Sequence, residues 1–82
     1  MSNKIYFKAS VKRDLKAIDK TRQLRILEEL MADLSANADA GKVLKNSDFL
    51  SLRIENYRVI YQKVSDGLLI VRIAHRKEVY RN

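Results

Sequence analysis

The chain has 82 residues, 46% hydrophobic and 33% charged, with a formal net charge of +7 at pH 7. This composition argues against disorder, and the length holds one core, so a single domain over residues 1–82 is expected. Cysteine is absent, which excludes disulfide staples and thiolate chemistry, and no apolar run approaches the ~18 residues of a membrane-spanning helix.

In chain order, Ile5-Tyr6-Phe7 has the β-branched and aromatic character of a short strand. Ser10 is the expected N-cap of a first helix carrying Val11, Leu15 and Ile18, with Lys12, Arg13 and Lys16 on its other side. Asp19 is expected to cap a second helix with the apolar stripe Leu24, Leu27, Leu30, Met31 and Leu34. The two helices almost abut and predict an αα-hairpin, closed by a loop over Asn37 to Gly41.

Beyond that loop the period changes to two. Leu50, Leu52 and Ile54 alternate with Ser51, Arg53 and Glu55, as in a half-buried strand. Glu55-Asn56 predicts a tight turn, with asparagine tolerating positive φ. Tyr57 to Val64 and Leu68 to Ala74 predict a hairpin turning at Asp66-Gly67. The expected order is β-α-α-β-β-β, an α+β fold in which a two-helix hairpin packs on a twisted, mainly antiparallel sheet.

Several polar groups break out of these apolar runs. Alternation puts Arg53 on the sheet face away from the helices, and Arg58 opens the neighbouring strand just past the turn. Two guanidiniums placed together repel unless an anion lies between them, and the planar guanidinium fork suits phosphate. The same arginines could instead pair with Glu55, Asp48 or Glu78. His75, the only histidine, stands where the last strand ends, and imidazole can exchange a proton near neutral pH. Tyr80 could stack on an unpaired base, and Lys42 and Lys45 would form a basic rim. On this reading the last quarter of the chain brings Arg58, His75, Arg76 and Tyr80 to one place. With the excess positive charge, the expected ligand is a polyanion. No phosphate-cradling glycine loop, nucleophile elbow or paired-carboxylate motif is present.

These residues, in this order, resemble the RelE/ParE superfamily of toxin–antitoxin modules. The resemblance is carried by Lys12-Arg13-Asp14-Leu15-Lys16, Gly41 to Lys45, Leu52-Arg53, Asn56 to Tyr61 and Ala74 to Tyr80. It implies the toxin of a type II system, and in the RelE branch an endoribonuclease that cuts mRNA in the ribosomal A site. There the ribose 2′-hydroxyl attacks the adjacent phosphate without metal or other cofactor. By position, Arg58 resembles the arginine that stabilises the transition state, Arg76 the one serving acid catalysis or phosphate binding, and Tyr80 the RNA-orienting tyrosine. Lys45 and Arg53 resemble basic positions around the scissile phosphate. Ser51 and Lys42 depart from the pattern, standing where related branches carry a lysine and a glutamate, and the general base stays open among Lys45, Glu55 and His75. The implied partners are a cognate antitoxin, the ribosome and mRNA. A ParE-like toxin that inhibits DNA gyrase, or a non-catalytic RNA-binding member, is the alternative within the same fold. The first residues carry no apolar stretch fit for a signal peptide, so a cytoplasmic location is expected.

Overall fold

The computed structural model describes residues 3–75. Along the chain run β1 (Lys4–Phe7), α1 (Ala9–Lys16), α2 (Lys20–Ala36), β2 (Lys42–Val43), β3 (Phe49–Ile54), β4 (Tyr57–Val64) and β5 (Gly67–His75). The strands form one five-stranded sheet in the order β1-β5-β4-β3-β2. The meander from β2 to β5 is antiparallel, whereas β1 lies parallel to β5, reached through the helical hairpin. The expected α+β architecture therefore stands, with one addition: two residues after the loop make an extra edge strand.

α2 begins as its sequence dictates. The Asp19 carboxylate accepts a hydrogen bond from the Arg22 N–H at 3.3 Å, satisfying a backbone donor that the helix leaves open. Its buried face keeps Leu30 and Leu34 of the expected stripe, with Leu27 partly buried, and replaces Leu24 and Met31 by Ile26. Ile26, Leu30 and Leu34, spaced by four, are fully buried, while Leu24 and Met31 are 58% and 44% exposed. The ridges 24-27-31 and 26-30-34 lie side by side on the helix, and the sheet selects the second. Ile26, Leu30 and Leu34 share one core with Val11 of α1, Ile18 of the link between the helices, and Leu50, Ile54, Val59, Tyr61, Leu68, Ile70 and Ile73 of the sheet.

α1 starts two residues earlier than expected, with Lys8 at the N-cap and no side-chain cap. Ser10 is not the cap. Its hydroxyl instead donates to the Val71 carbonyl at 2.6 Å. β1 covers only the first half of β5, up to Ile70, and α1 takes over the exposed edge beyond it. Asp14 Oδ2 accepts from the Ile73 N–H at 2.8 Å and from Arg72 Nε at 2.9 Å. Backbone groups that would otherwise be stranded at a sheet edge are thus paired by a helix.

Both turns differ in detail from expectation. In the β3–β4 turn the left-handed residue is Glu55 (φ 53°), not Asn56. The β4–β5 turn is Ser65-Asp66, and Gly67 already belongs to β5, paired with Val64. Gly67 is needed for another reason: a Cβ there would lie 2.1 Å from the Lys4 carbonyl oxygen of β1. One irregularity changes which residues share a face. Tyr61 pairs with Ile70 but Ile60 pairs with Arg72, so Val71 is an extra residue, a β-bulge in β5.

Candidate nucleic-acid interface

The pleat of β4 sends Val59 and Tyr61 into the core and Arg58, Ile60 and Gln62 to the helix-free face. On that open face Arg53 of β3 stands directly opposite Arg58 of β4. One pair further along, Ser51 stands between Ile60 and Lys42 of the edge strand. Arg58 Nη1 donates to Ser51 Oγ at 3.2 Å, and Ser51 is only 7% exposed. The guanidinium is therefore oriented along the sheet.

A cleft of about 530 Å³ opens here, with Lys42, Lys45, Ser51, Arg53 and Arg58 among its walls. Lys45 is presented by a tight hairpin. The Leu44 N–H donates to the Phe49 carbonyl at 2.9 Å, and Asn46 takes the left-handed conformation (φ 60°) that asparagine tolerates. Apolar Val43, Leu44 and Leu52 line the same cleft. Four cations thus share one shallow face, two of them guanidinium forks at directly opposed positions, a donor set with the chemistry to take an anion. Among the described residues, no three His, Asp or Glu side chains converge to hold a metal ion.

Four of the residues singled out in the sequence thus come together: Lys42, Lys45, Arg53 and Arg58. His75 does not join them. It pairs with Tyr57, which packs against the core, and their rings meet edge to face at 5.2 Å and 88°. It lines a separate depression of about 290 Å³ with Arg13, Asp14 and Arg72 on the helix side of the sheet. Glu55, in the turn, is not among the cleft residues. Arg76 and Tyr80 lie outside the described residues.

The contacts of two residues escaped sequence reasoning. Ser51 reads as an outward strand residue at a position where a related branch carries a lysine, and Tyr61 as a core or half-core strand residue. Yet the buried Tyr61 hydroxyl donates to the Ala38 carbonyl and accepts from the Gly41 N–H, each at 2.9 Å, tying the loop before Lys42 to the sheet. Burial raises the Tyr61 phenol above its ordinary pKa, and the Gly41 N–H opposes part of that rise. No local pattern marks the Tyr61 contacts, because they join residues at least 20 positions apart.

The sequence profile described as "ParE toxin of type II toxin-antitoxin system, parDE" matches residues 5–80. The chain belongs to this toxin family. Within the RelE/ParE superfamily, the toxin is similar to the solved RelBE2 toxin–antitoxin complex of Mycobacterium tuberculosis. The two share 25% identity over 93% of this chain and 100% of that one, with a TM-score of 0.85. It is also similar to the RelB–RelE complex of Methanococcus jannaschii, at 26% identity, 92% and 94% coverage and a TM-score of 0.70. The chromosomal ParDE system of P. aeruginosa shares its fold, at 19% identity, 90% and 96% coverage and a TM-score of 0.72. A search of curated proteins returned no match.

Proposed function

We propose that this toxin is a RelE-like endoribonuclease that cuts mRNA in the ribosomal A site. The observation that carries this reading is the facing pair Arg53 and Arg58 on the open sheet face, rimmed by Lys42 and Lys45. In the reaction the 2′-oxygen bonds to the adjacent phosphorus and the bond to the 5′-oxygen breaks. A cyclic phosphate and a free 5′-hydroxyl result. Arg58, oriented by Ser51, and Arg53 hold the charge that develops on the phosphorane oxygens, where fixed donors act most strongly. Lys42 binds the flanking backbone.

Of the three side chains open as general base, Lys45 alone lines the cleft, and we assign it the 2′-hydroxyl proton. Arg76 and Tyr80 keep the roles that the resemblance implies, protonating or holding the leaving side and stacking the message. Lys12, Arg13, Lys16, Lys20, Arg22 and Arg25 are exposed on the helices, across the sheet from the cleft. A second basic face of this kind suits ribosomal RNA around a bound message. A cognate antitoxin covering the cleft is the expected protein partner, as the similar RelBE toxins were crystallised with theirs. Among the described residues no helix is long and apolar enough to cross a membrane, and action on ribosomes implies the cytoplasm.

The matched family description names ParE, which favours a second reading, a gyrase-inhibiting toxin. Mapping mRNA 5′-ends after brief induction separates the two. Cuts inside translated codons that fall about 100-fold or more in Arg58→Ala support the nuclease. Arrest without cuts, together with inhibition of purified gyrase, would move the assignment to the second reading.

A further inference from the structure

The rim lysines stand on the least supported part of the sheet. β2 has two residues and pairs on one side only, through Lys42 with Ser51 and Val43 with Leu50. The loop before it crosses from α2 to the sheet edge. Asp39 of this loop pairs with Lys63, an exposed ion pair of the kind that contributes little. The buried anchor is Tyr61. Its side chain is fully buried beneath the sheet, and its hydroxyl makes both hydrogen bonds to the loop backbone, at Ala38 and Gly41.

The fit around that hydroxyl is close. A Cβ at residue 41 would lie 2.8 Å from Tyr61 Oη and 2.9 Å from the Ser51 carbonyl, so only glycine lets the chain approach both. Lys42 follows at once, opposite Ser51, which in turn accepts from Arg58. A continuous path leads from Tyr61 through Gly41 to Lys42, and across Ser51 to Arg58. We infer that Tyr61 is a positioning residue for the phosphate-binding rim: its hydroxyl, acting from the helix side of the sheet, sets where Lys42 and Lys45 stand relative to Arg53 and Arg58. This rests on the reading of the cleft as an RNA site.

The variant Tyr61→Phe removes one oxygen and keeps the ring that fills the core. In the full-length protein, binding of a fluorescent single-stranded RNA should weaken about three- to tenfold. The slope of log affinity against log salt should become shallower by about 0.7 for each phosphate that the rim no longer neutralises. Turnover of saturated RNA should fall as well, since the inference makes the position of Lys45, the assigned base, depend on Tyr61. In a Lys42→Ala/Lys45→Ala background, Tyr61→Phe should have no further effect on binding. Wild-type affinity and slope in Tyr61→Phe would overturn the inference. So would an equally large effect in the background without the lysines, which would mark general destabilisation instead.

A second readout needs no RNA. Amide resonances of Lys42 to Lys45 should shift, and the Gly41 amide lose exchange protection, in Tyr61→Phe, while those of Arg53 and Arg58 stay in place. Unmoved Lys42 to Lys45 amides overturn the positioning role, whatever the ligand. Wild-type protein that binds no RNA, or binds it indifferently to Arg58→Ala, defeats the nuclease reading alone, and the amides then decide for Tyr61.

Discussion

His75 and Arg58 lie on opposite faces of the sheet, and one extra residue between them along the meander is the reason. From the Ser65-Asp66 turn the register pairs Gly67 with Val64 and Leu69 with Gln62, which would carry His75 to the open face beside Arg58. The bulge at Val71 shifts the parity. Ile73 and His75 then turn toward the helices, and Ala74, not His75, shares the Arg58 position. His75→Ala is therefore expected to leave RNA cleavage within about twofold. It should cost about 1 kcal/mol of stability by removing the edge-to-face packing on Tyr57, measured by urea unfolding.

The Arg53–Arg58 pair is expected to trade stability for function. Like charges directly opposed on neighbouring strands cost a few tenths of a kcal/mol when exposed to solvent. Arg53→Gln should raise stability by about 0.3 kcal/mol at low salt, a gain that disappears at 1 M salt. The same change should lower cleavage about tenfold. Calorimetry across a salt series, beside a cleavage assay, reads both.

Asp14 holds α1 against β5 through the Ile73 N–H and Arg72. Asp14→Ala strands a part-buried backbone donor and removes a charged acceptor, at a cost of about 2 kcal/mol. Weaker exchange protection at the Ile73 amide should accompany the drop in unfolding midpoint.

Ile26 and Leu24 provide a direct comparison on one helix. Ile26→Ala empties a fully buried position and should cost about 3 kcal/mol. Leu24→Gln alters a residue that is 58% exposed and should change stability by less than about 0.5 kcal/mol. A reversed order in denaturant titrations would contradict this orientation of the helix.

Tyr61 makes stability depend on alkaline pH. Burial favours its neutral phenol, so its folded pKa lies above the ordinary 10.0. As pH rises past about 10 the unfolded chain releases this proton first and binds fewer protons than the native state, so stability falls. The fall continues until the folded phenol ionises. Tyr61→Phe should flatten this decline, leaving the share of Tyr6, whose hydrogen bond to Asp66 raises its pKa in the same sense. Thermal unfolding from pH 8 to 11 measures the difference.

Much of this molecule was legible locally. Alternation in β3, the Asp19 cap and the short turn at Glu55-Asn56 helped predict the element order, apart from the two-residue edge strand β2. They also predicted that Arg53 and Arg58 meet outside the helices, since a two-residue turn leaves one register for its flanking strands. The basic rim at Lys42 and Lys45 was visible as charge beside apolar anchors. Three features were decided only by tertiary structure. The bulge at Val71 accompanies the change in β5 from a strand neighbour to a helix neighbour, and no residue type announces it. The buried ridge of α2 was chosen by the sheet, because two adjacent apolar ridges have nearly equal hydrophobicity until one is covered. The Tyr61 hydrogen bonds with Ala38 and Gly41 join residues at least 20 positions apart, so they exist only once the loop folds back onto the strand. Local chemistry determined which groups this protein carries, and long-range packing decided which of them share a face.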